Sequence, residues 1–269
     1  MNCICISSDP EGTESDDDKE EVEWFLTGPD NRNDDIVVRK VKVDSELGKN
    51  LKPYQRDGVE FLWRNCFSDF NCHKTGDQSR IGGCILAHYM GLGKSLTTIT
   101  VLHTALTSSS MVTKKKKKRL LHTVLLIAPA NTLSNWVDEV DKWTEDLETG
   151  LHIKNLGSVT ASSRKKTIKK WKKEGGIMVL SDSMFQIAAD DITSEVQPDV
   201  LVLDEAHTML KHSGNKRFKT LLNIQTKRKI LLTGTPLQNN VSEYFRMIEY
   251  IRPGVIGVES EADFEREYR

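Results

Sequence analysis

The chain has 269 residues, and its 38% hydrophobic content is enough for a sizeable buried core in one large or two small domains. A net charge of -1 excludes a uniformly basic protein, so any nucleic-acid binding must come from local basic patches. Five cysteines without a secretory signal argue against a disulfide framework, and the lack of a long apolar run argues against a membrane partner.

Residues 1–44 are predicted to form an acidic, mostly disordered tail. Asp and Glu are dense from Asp9 to Asp35, where Trp24, Phe25 and Leu26 form an apolar island. A segment of this composition buries too little apolar surface to offset the entropy of ordering the chain. The folded part is therefore expected to begin near Ser45.

A helix is predicted between Leu51 and Cys66. Pro53 suits its first turn, and Gln55 lies near its start. An apolar face is formed by Leu51, Tyr54, Val59, Phe61, Leu62 and Trp63.

Strands and helices then alternate. The apolar run Cys84–Ala87 is followed by a glycine-rich turn and by the apolar-periodic stretch Leu96–Leu106. The run Val124–Ala128 stops at Pro129, and apolar residues at helical spacing follow it. Three further short runs have the form of buried parallel strands: Ile177–Leu180, Val200–Leu203 and Ile230–Leu232. This alternation predicts an α/β fold, a doubly wound and mostly parallel sheet with helices on both faces, whose ligands lie beyond the carboxyl ends of the strands.

Two basic segments interrupt the pattern. Lys114–Arg119 follows a run of serines and predicts a solvated insertion near residues 108–120, with nuclear localisation or DNA contact as the less common alternative. Arg164–Lys173 has Ile168 and Trp171 spaced to pack on one side, which favours a mostly solvent-facing helix.

The turn Met90-Gly91-Leu92-Gly93-Lys94-Ser95 has the residue types of a phosphate-binding loop. Such a loop needs inward backbone N–H groups, glycines where side chains would block the phosphates, and a lysine for the β and γ oxygens. Ser95 would place its hydroxyl on Mg²⁺ at the first turn of the next helix. The strict pattern fails at its first glycine, which is His88, so the loop alone leaves an ordinary strand-to-helix turn open.

The second half of this predicted site is Asp204-Glu205, which ends the apolar run Val200–Leu203. A strand of an α/β sheet delivers such carboxylates to the same edge as the phosphate loop. We expect Asp204 to hold Mg²⁺ through water and Glu205 to position or deprotonate the water that attacks the γ-phosphate. A solvated turn is the alternative, and it fits poorly after four buried aliphatic residues.

Five segments resemble, in order, the motifs of superfamily-two helicase-like ATPases of the SWI/SNF-type chromatin-remodelling and DNA-translocating branch. They are Leu51-Lys52-Pro53-Tyr54-Gln55, Ile85 to Ser95, Ala128-Pro129-Ala130-Asn131, Asp204-Glu205-Ala206-His207 and Leu231 to Asn239. The resemblance covers roughly Leu47 to the end of the chain and leaves the acidic tail outside. It implies a RecA-like P-loop NTPase lobe.

The resemblance also implies a role for each matching residue. Gln55 would read the adenine of ATP, and the residues that bind its phosphates would be Met90, Gly91, Leu92, Gly93, Lys94 and Ser95. Lys94, Asp204 and Glu205 would be the catalytic residues, with Ser95 and Asp204 on Mg²⁺. Coupling of the nucleotide state to DNA movement would involve His207, Thr233 and Thr235, while Pro129 and Asn131 would lie beside the DNA backbone.

Structural roles remain open beside some of these functional ones. Gln55 could be a solvent-facing helical residue, and residues 233–236 could be an ordinary turn after a strand. Trp136 and Trp143 are expected to be core residues.

One departure from the branch pattern is informative. Most members have an aspartate where this chain has His88, and Gly83-Cys84-Ile85-Leu86-Ala87-His88 looks like the ATRX-type subgroup. Ser95 replaces the more usual threonine but keeps the hydroxyl that the metal needs.

The predicted organisation is a tail at residues 1–44, a helicase ATP-binding lobe at 45–252 and a short C-terminal extension at 253–269. Motors of this family hydrolyse ATP between two RecA-like lobes, and the residues after Asn239 are too few for a second α/β domain. The chain therefore resembles a fragment, and we expect it to bind ATP and Mg²⁺ but to turn over slowly alone.

The leading functional prediction is a nuclear ATPase lobe that couples ATP hydrolysis to movement on double-stranded DNA and nucleosomes, with chromatin proteins as further partners. Two alternatives stay open. One is a regulatory or interaction fragment without turnover, and the other is an ATPase of the RNA-helicase type.

Overall fold

A parallel sheet of seven strands forms the centre of the computed structural model, which describes residues 4–7, 23–27, 40–68, 82–113, 118–211, 216–234, 241–258 and 260–268. Its strands are β1 Ile4–Ser7, β4 Cys84–His88, β5 Thr123–Ala128, β6 Ile153–Asn155, β7 Gly176–Ser181, β8 Val200–Leu203 and β9 Lys229–Leu232. Their order is β1-β4-β9-β8-β5-β7-β6, and each pairing is parallel. A separate antiparallel pair is formed by β2 Phe25–Thr27 and β3 Lys40–Lys42.

Helices cover both faces of the sheet. They are α1 Ser45–Lys49, α2 Pro53–Cys66, α3 Lys94–Thr107, α4 Leu133–Thr144, α5 Ala161–Glu174, α6 Asp182–Glu195, α7 Ala206–Met209, α8 Lys216–Leu221, α9 Val241–Ile251 and α10 Glu261–Tyr268. Apolar residues of α2, α3 and α4 lie in one core layer, and those of α5, α6, α8 and α9 lie in the other. Within β5, Leu126 belongs to the first layer and Leu125 to the second, as side-chain alternation along a strand requires. The predicted doubly wound fold is confirmed.

The N-terminal residues depart from the predicted disordered tail. β1 pairs with β4 in register from Ile4 opposite Ile85, and β2 buries Leu26 at 2% exposure. The indole N–H of Trp63 donates to the carbonyl oxygen of Thr27 at 2.6 Å, which ties this segment to α2. The expectation that folded structure begins near Ser45 is therefore wrong for residues 4–7, 23–27 and 40–44, because a few apolar side chains find partners in the core.

The predicted helix with Gln55 near its start is α2. Pro53 is its first residue, where a missing N–H breaks no helical hydrogen bond. Gln55 Oε1 accepts a hydrogen bond from the backbone N–H of Lys52 at 2.8 Å, which satisfies an amide at the start of the helix. The start of this helix is therefore determined by local interactions of Pro53 and Gln55, which the sequence shows.

The predicted basic helix is confirmed as α5, which buries Thr167, Ile168 and Trp171 and exposes its lysines. Of the basic run at residues 114–119, only Lys118 and Arg119 lie within the described residues. Arg119 forms an isolated antiparallel β-bridge with Val112.

The C-terminal extension packs on the lobe through α10. The rings of Phe245 and Phe264 lie 5.3 Å apart, and Arg246 makes two hydrogen bonds to the carboxylate of Glu261 at 3.0 and 2.7 Å. Across the described ranges, none of the helices has the length and apolar character needed to traverse a bilayer.

Candidate functional site

Three neighbouring strands carry the predicted site residues to one edge of the sheet. β4 leads into the loop at residues 89–93, β9 leads into Thr233, and β8 leads into Asp204. Parallel strands end at the same edge, so residues more than a hundred positions apart meet there. The predicted phosphate loop and the predicted carboxylates are therefore brought together.

The loop after β4 has the backbone geometry that its glycines allow. Gly91 has φ +85° and Gly93 has φ +71°, a left-handed region in which other residues are strained. A Cβ on Gly93 would lie 2.1 Å from Nε2 of Gln55, whereas a Cβ on Gly91 would meet nothing within 4 Å. An alanine at position 93 would therefore be strained by its conformation and would also displace the amide of Gln55.

Gln55 is buried against the loop. Its Nε2 donates to the carbonyl oxygen of Leu92 at 3.1 Å, and the residue is only 6% exposed. The alternative of a solvent-facing helical residue is thus wrong. Its contact with adenine stays a prediction.

Lys94 lies between the loop and the carboxylates. Its Nζ donates to the carbonyl oxygens of His88 at 3.0 Å and Tyr89 at 3.3 Å. Burial lowers the pKa of Lys94 below its ordinary value, and the negative charges of Glu205 and Asp204 offset part of that shift. The ammonium group can therefore serve as the positive partner of a phosphate next to two acids.

Asp204 and Glu205 are held in defined positions. Asp204 Oδ1 accepts from the backbone N–H of Glu205 at 3.0 Å, and its Oδ2 accepts from the indole N–H of Trp136 at 2.9 Å. Glu205 has φ +47°, which is unusual for a residue with a side chain. Such backbone conformations are frequent at functional sites.

His207 connects the carboxylates to the end of β9. Its Nδ1 lies 3.1 Å from Oγ1 of Thr233 and 3.4 Å from Oε2 of Glu205. A Cβ on Gly234 would lie 3.5 Å from both Glu205 Oε1 and Lys94 Nζ, so the backbone after Thr233 borders the same site. His207 and Thr233 thus lie in contact beside Glu205, and their role in coupling stays a prediction. Thr235 lies outside the described residues.

A cavity of about 480 Å³ lies between the phosphate loop, Gln55 and the two carboxylates. It is lined by Asn50, Lys52, Gln55, Met90, Gly91, Gly93, Lys94, Ser95, Leu96, Trp136, Glu139, Trp143, Asp204 and Glu205. Its size suits a small-molecule ligand, and basic, hydroxyl and acidic groups converge on it.

Pro129 and Asn131 lie apart from this cavity. Pro129 ends β5, and Ala130–Thr132 forms a turn of 3₁₀ helix that leads directly into α4. Asn131 is exposed. A contact with DNA there is compatible with its exposure but stays a prediction.

His88, the departure from the phosphate-loop pattern, is fully buried at the end of β4. Its Nε2 lies 3.5 Å from Cys5 Sγ, and its ring meets Tyr54 edge-on at 6.3 Å. Burial, with a smaller contribution from the charge of Lys94, lowers the pKa of His88 to about 4. His88 is therefore a neutral packing residue at physiological pH, and its side chain stands where Gly58 of α2 leaves room, 3.3 Å from a Cβ placed there.

The expectation that Trp136 and Trp143 are core residues is confirmed for Trp136, and Trp143 packs half-buried against the same core, but both also make polar contacts. Trp136 is buried but donates to Asp204, while Trp143 is half-buried, lines the cavity and donates to Glu139 Oε2 at 2.8 Å. Their helical spacing indicated one face of α4 but could not show which residues that face meets. Asn50 and Lys52, just before α2, also line the cavity. Lys52 belongs to the first of the five resembling segments, but neither residue was assigned a role.

The parallel sheet, the phosphate loop and the paired carboxylates define a RecA-like P-loop NTPase lobe. The SNF2-related domain family matches residues 19–269, nearly the whole chain, and the chain belongs to this family. The resemblance to SWI/SNF-type ATPases is confirmed. The match begins at residue 19, inside the segment predicted to be a tail.

Curated relatives agree with this assignment. The chain is 34% identical over 236 residues to protein CHROMATIN REMODELING 20 of Arabidopsis thaliana, covering 83% of this chain and 15% of that protein. It is also 34% identical over 242 residues to Transcriptional regulator ATRX of Mus musculus, covering 84% of this chain and 9% of that protein. The expected ATRX-type resemblance is confirmed, and the chain spans less than a fifth of the length of these relatives.

A solved structure has the same fold. The Sulfolobus solfataricus SWI2/SNF2 ATPase core in complex with dsDNA is similar with a TM-score of 0.57 and 27% identity. The match covers 81% of this chain and 39% of that chain.

Proposed function

We propose that this chain is the ATP-binding lobe of a DNA-dependent ATPase that moves along double-stranded DNA, of the chromatin-remodelling type. The observation that carries the proposal is that Lys94, Ser95, Asp204 and Glu205 line one cavity. Relatives named for chromatin remodelling and transcriptional regulation support a role in chromatin. A solved relative in complex with dsDNA supports double-stranded DNA as the substrate along which the protein moves. On the same grounds, the proposal includes nucleosomes and chromatin proteins as partners and the nucleus as the location.

Magnesium fits the chemistry of the donor groups. Ser95 supplies a hydroxyl and Asp204 a carboxylate, and both are oxygen ligands of the kind that Mg²⁺ prefers. Both line the same cavity as Lys94. When bound, the metal would neutralise charge that develops on the phosphate oxygens.

The residues of the loop would bind the triphosphate. The left-handed glycines Gly91 and Gly93 turn the backbone so that amides can face anionic oxygens, and the start of α3 adds its positive dipole end. Lys94 would move from its backbone acceptors to the β and γ oxygens. Gln55, fixed against Leu92, would meet the adenine.

Glu205 would activate the attacking water. Its carboxylate lies beside His207 on a residue with a left-handed backbone, which supports a positioned group rather than a solvated turn. His207 and Thr233 would then report the state of the phosphate site to the end of β9. The segment from Pro129 to the exposed Asn131 would contact the DNA backbone.

The test is to measure ATP hydrolysis with duplex DNA, RNA or nucleosomes, using the chain supplied with a second RecA-like lobe. We expect duplex DNA and nucleosomes to stimulate hydrolysis more than RNA. Stronger stimulation by RNA would favour an RNA-helicase-type ATPase. ATP binding without hydrolysis on any of the three would favour a regulatory module.

A further inference from the structure

Trp136 places a hydrogen-bond donor at the predicted magnesium carboxylate. The residue lies on α4 and is 4% exposed, so its indole is surrounded by core side chains. Its Nε1 donates to Asp204 Oδ2 at 2.9 Å, across 68 positions of sequence. The side chain thus has both a packing surface and a polar contact in the site.

This hydrogen bond completes the fixation of Asp204. The backbone N–H of Asp204 donates to Ile127 O at 2.8 Å, which holds the end of β8 against β5. Oδ1 accepts from the N–H of Glu205, and Oδ2 accepts from Trp136. Each carboxylate oxygen therefore has one donor that fixes its plane and keeps another lone pair for a ligand.

A second buried tryptophan shows that a packed indole does not need a carboxylate as its hydrogen-bond acceptor. Trp171 on α5 is also 4% exposed, and its Nε1 donates at the same distance of 2.9 Å to the backbone carbonyl of Gly176. A buried indole N–H needs an acceptor, and a backbone carbonyl is sufficient. Trp136 instead uses an acidic side chain that lines the cavity.

We propose that Trp136 is a positioning residue that orients Asp204 to receive Mg²⁺. The inference rests on the proposed function, because it takes Asp204 to be the magnesium carboxylate. Hydrogen-bond partners of metal-binding groups set their direction, and removing such a partner commonly lowers metal affinity by about 10- to 100-fold. The effect of Trp136 is therefore expected on Mg²⁺ affinity and not on the metal-free contacts of the nucleotide.

The test is Trp136→Phe, which removes the N–H and keeps a large aromatic ring. Binding of the fluorescent analogue mant-ATP to the 269-residue chain is followed while Mg²⁺ is titrated, and again in EDTA. We expect the Mg²⁺ concentration for half-maximal enhancement of binding to rise about 10-fold, with the affinity in EDTA unchanged. Trp171→Phe is the matched control, and we expect it to change the Mg²⁺ requirement less than twofold.

A double-mutant cycle with Asp204→Ala, which removes the acceptor, gives a second readout. If Trp136 acts through Asp204, Trp136→Phe should no longer change the Mg²⁺ requirement in the Asp204→Ala background. Should Trp136→Phe fail to fold, benzothienylalanine at position 136 replaces the N–H by sulfur in an almost identical ring, and the same 10-fold rise is expected.

The outcomes separate the two proposals. A wild-type chain whose mant-ATP binding ignores Mg²⁺ would contradict the proposed function itself. A wild-type chain with Mg²⁺-dependent binding, together with equal small effects of Trp136→Phe and Trp171→Phe, would overturn only the role of Trp136.

Discussion

Glu205 is the residue whose conformation most directly suggests chemistry. It is held at φ +47° with its carboxylate 3.4 Å from His207, while Lys94 faces the same pair of acids. Its neighbours supply hydrogen bonds and charge, but a carboxylate is needed to take a proton from water. Under the proposed function, Glu205 would activate water and Lys94 would bind phosphate.

We predict that Glu205→Gln keeps nucleotide binding and loses hydrolysis. The amide has the same shape but cannot act as a base, so turnover should fall by about 10²- to 10⁴-fold. Lys94→Ala should lose both binding and turnover, because the phosphates lose their positive partner. Mant-ATP binding and phosphate release, measured with a second lobe supplied, check both variants. Near-normal hydrolysis by either one would refute the assigned site.

The burial of His88 predicts how the stability of the fold depends on pH. Its pKa is lowered to about 4 by burial and by Lys94, so the unfolded chain takes up its proton near pH 6.5 and the folded chain does not. The stability that a neutral His88 provides is fully present above about pH 6.5 and is lost as pH falls toward 4. Between pH 7.5 and 5 this linkage amounts to at most about 2 kcal/mol.

The measurement is urea unfolding of the wild-type chain and of His88→Gln at both pH values. The variant cannot take up this proton, so it should lose less stability than the wild type on acidification. His103, another buried histidine with a lowered pKa, titrates in both proteins and cancels in the comparison. Equal losses in the two proteins would show that His88 is not held neutral by the fold.

At the scale of elements, the phosphate loop depends on α2 as well as on its own glycines. The side chain of Gln55 occupies the space beside Gly93 and bonds to Leu92 O, so the start of α2 supports the turn before α3. The helix and the loop thus support each other, although Gln55 and Leu92 lie 37 positions apart in the sequence.

We predict that Gly93→Ala destabilises the protein more than Gly91→Ala. Both positions have positive φ, which strains an alanine by about 1–2 kcal/mol. Only at Gly93 does the new methyl group meet Gln55, and displacing that amide loses a further hydrogen bond of about 1 kcal/mol. Urea unfolding of the two variants checks the difference, which should shrink in a Gln55→Ala background. Equal destabilisation would mean that the loop does not rest on Gln55.

Much of the central fold was predictable from local patterns. Runs such as Val200–Leu203 are short, apolar and bounded by turns, and each became a buried strand of the parallel sheet. β1 was not predictable because four residues in a polar neighbourhood carry little periodicity, and its pairing with β4 depends on partners about 80 positions away. Local signals identify strands that feed helices better than they identify strands added at an edge.

The candidate site was predictable where a sequence motif fixes the residue types. Lys94 and Asp204 come from residue types at fixed positions beside strands, so the topology of the sheet brings them together. Trp136 was missed because its helical spacing is equally typical of a core residue, and only the packing of α4 beside β8 reveals its acceptor. The polar contacts of an aromatic side chain depend on tertiary packing, which local sequence patterns do not show.

At the scale of the whole molecule, the described residues form one RecA-like lobe with a cavity of about 480 Å³ at the edge of its sheet. The residues that line the cavity include lysines, a serine hydroxyl and carboxylates, which under the proposed function would bind ATP and activate water. In the related motors, by resemblance, arginines from a second lobe stabilise the charge that develops on the γ-phosphate. Such an arginine contributes a factor of about 10³ to 10⁵ to the rate.

We predict that the 269-residue chain binds ATP with Mg²⁺ but hydrolyses it slowly, even with saturating duplex DNA. Supplying the second RecA-like lobe of an ATRX relative, fused or in trans, should raise the rate by at least about 10³-fold, because the missing charge stabilisation is restored. The same addition to the Lys94→Ala chain is the control and should give no increase. Hydrolysis by the chain alone at the rate reached with the second lobe would show that this lobe completes its own catalytic site.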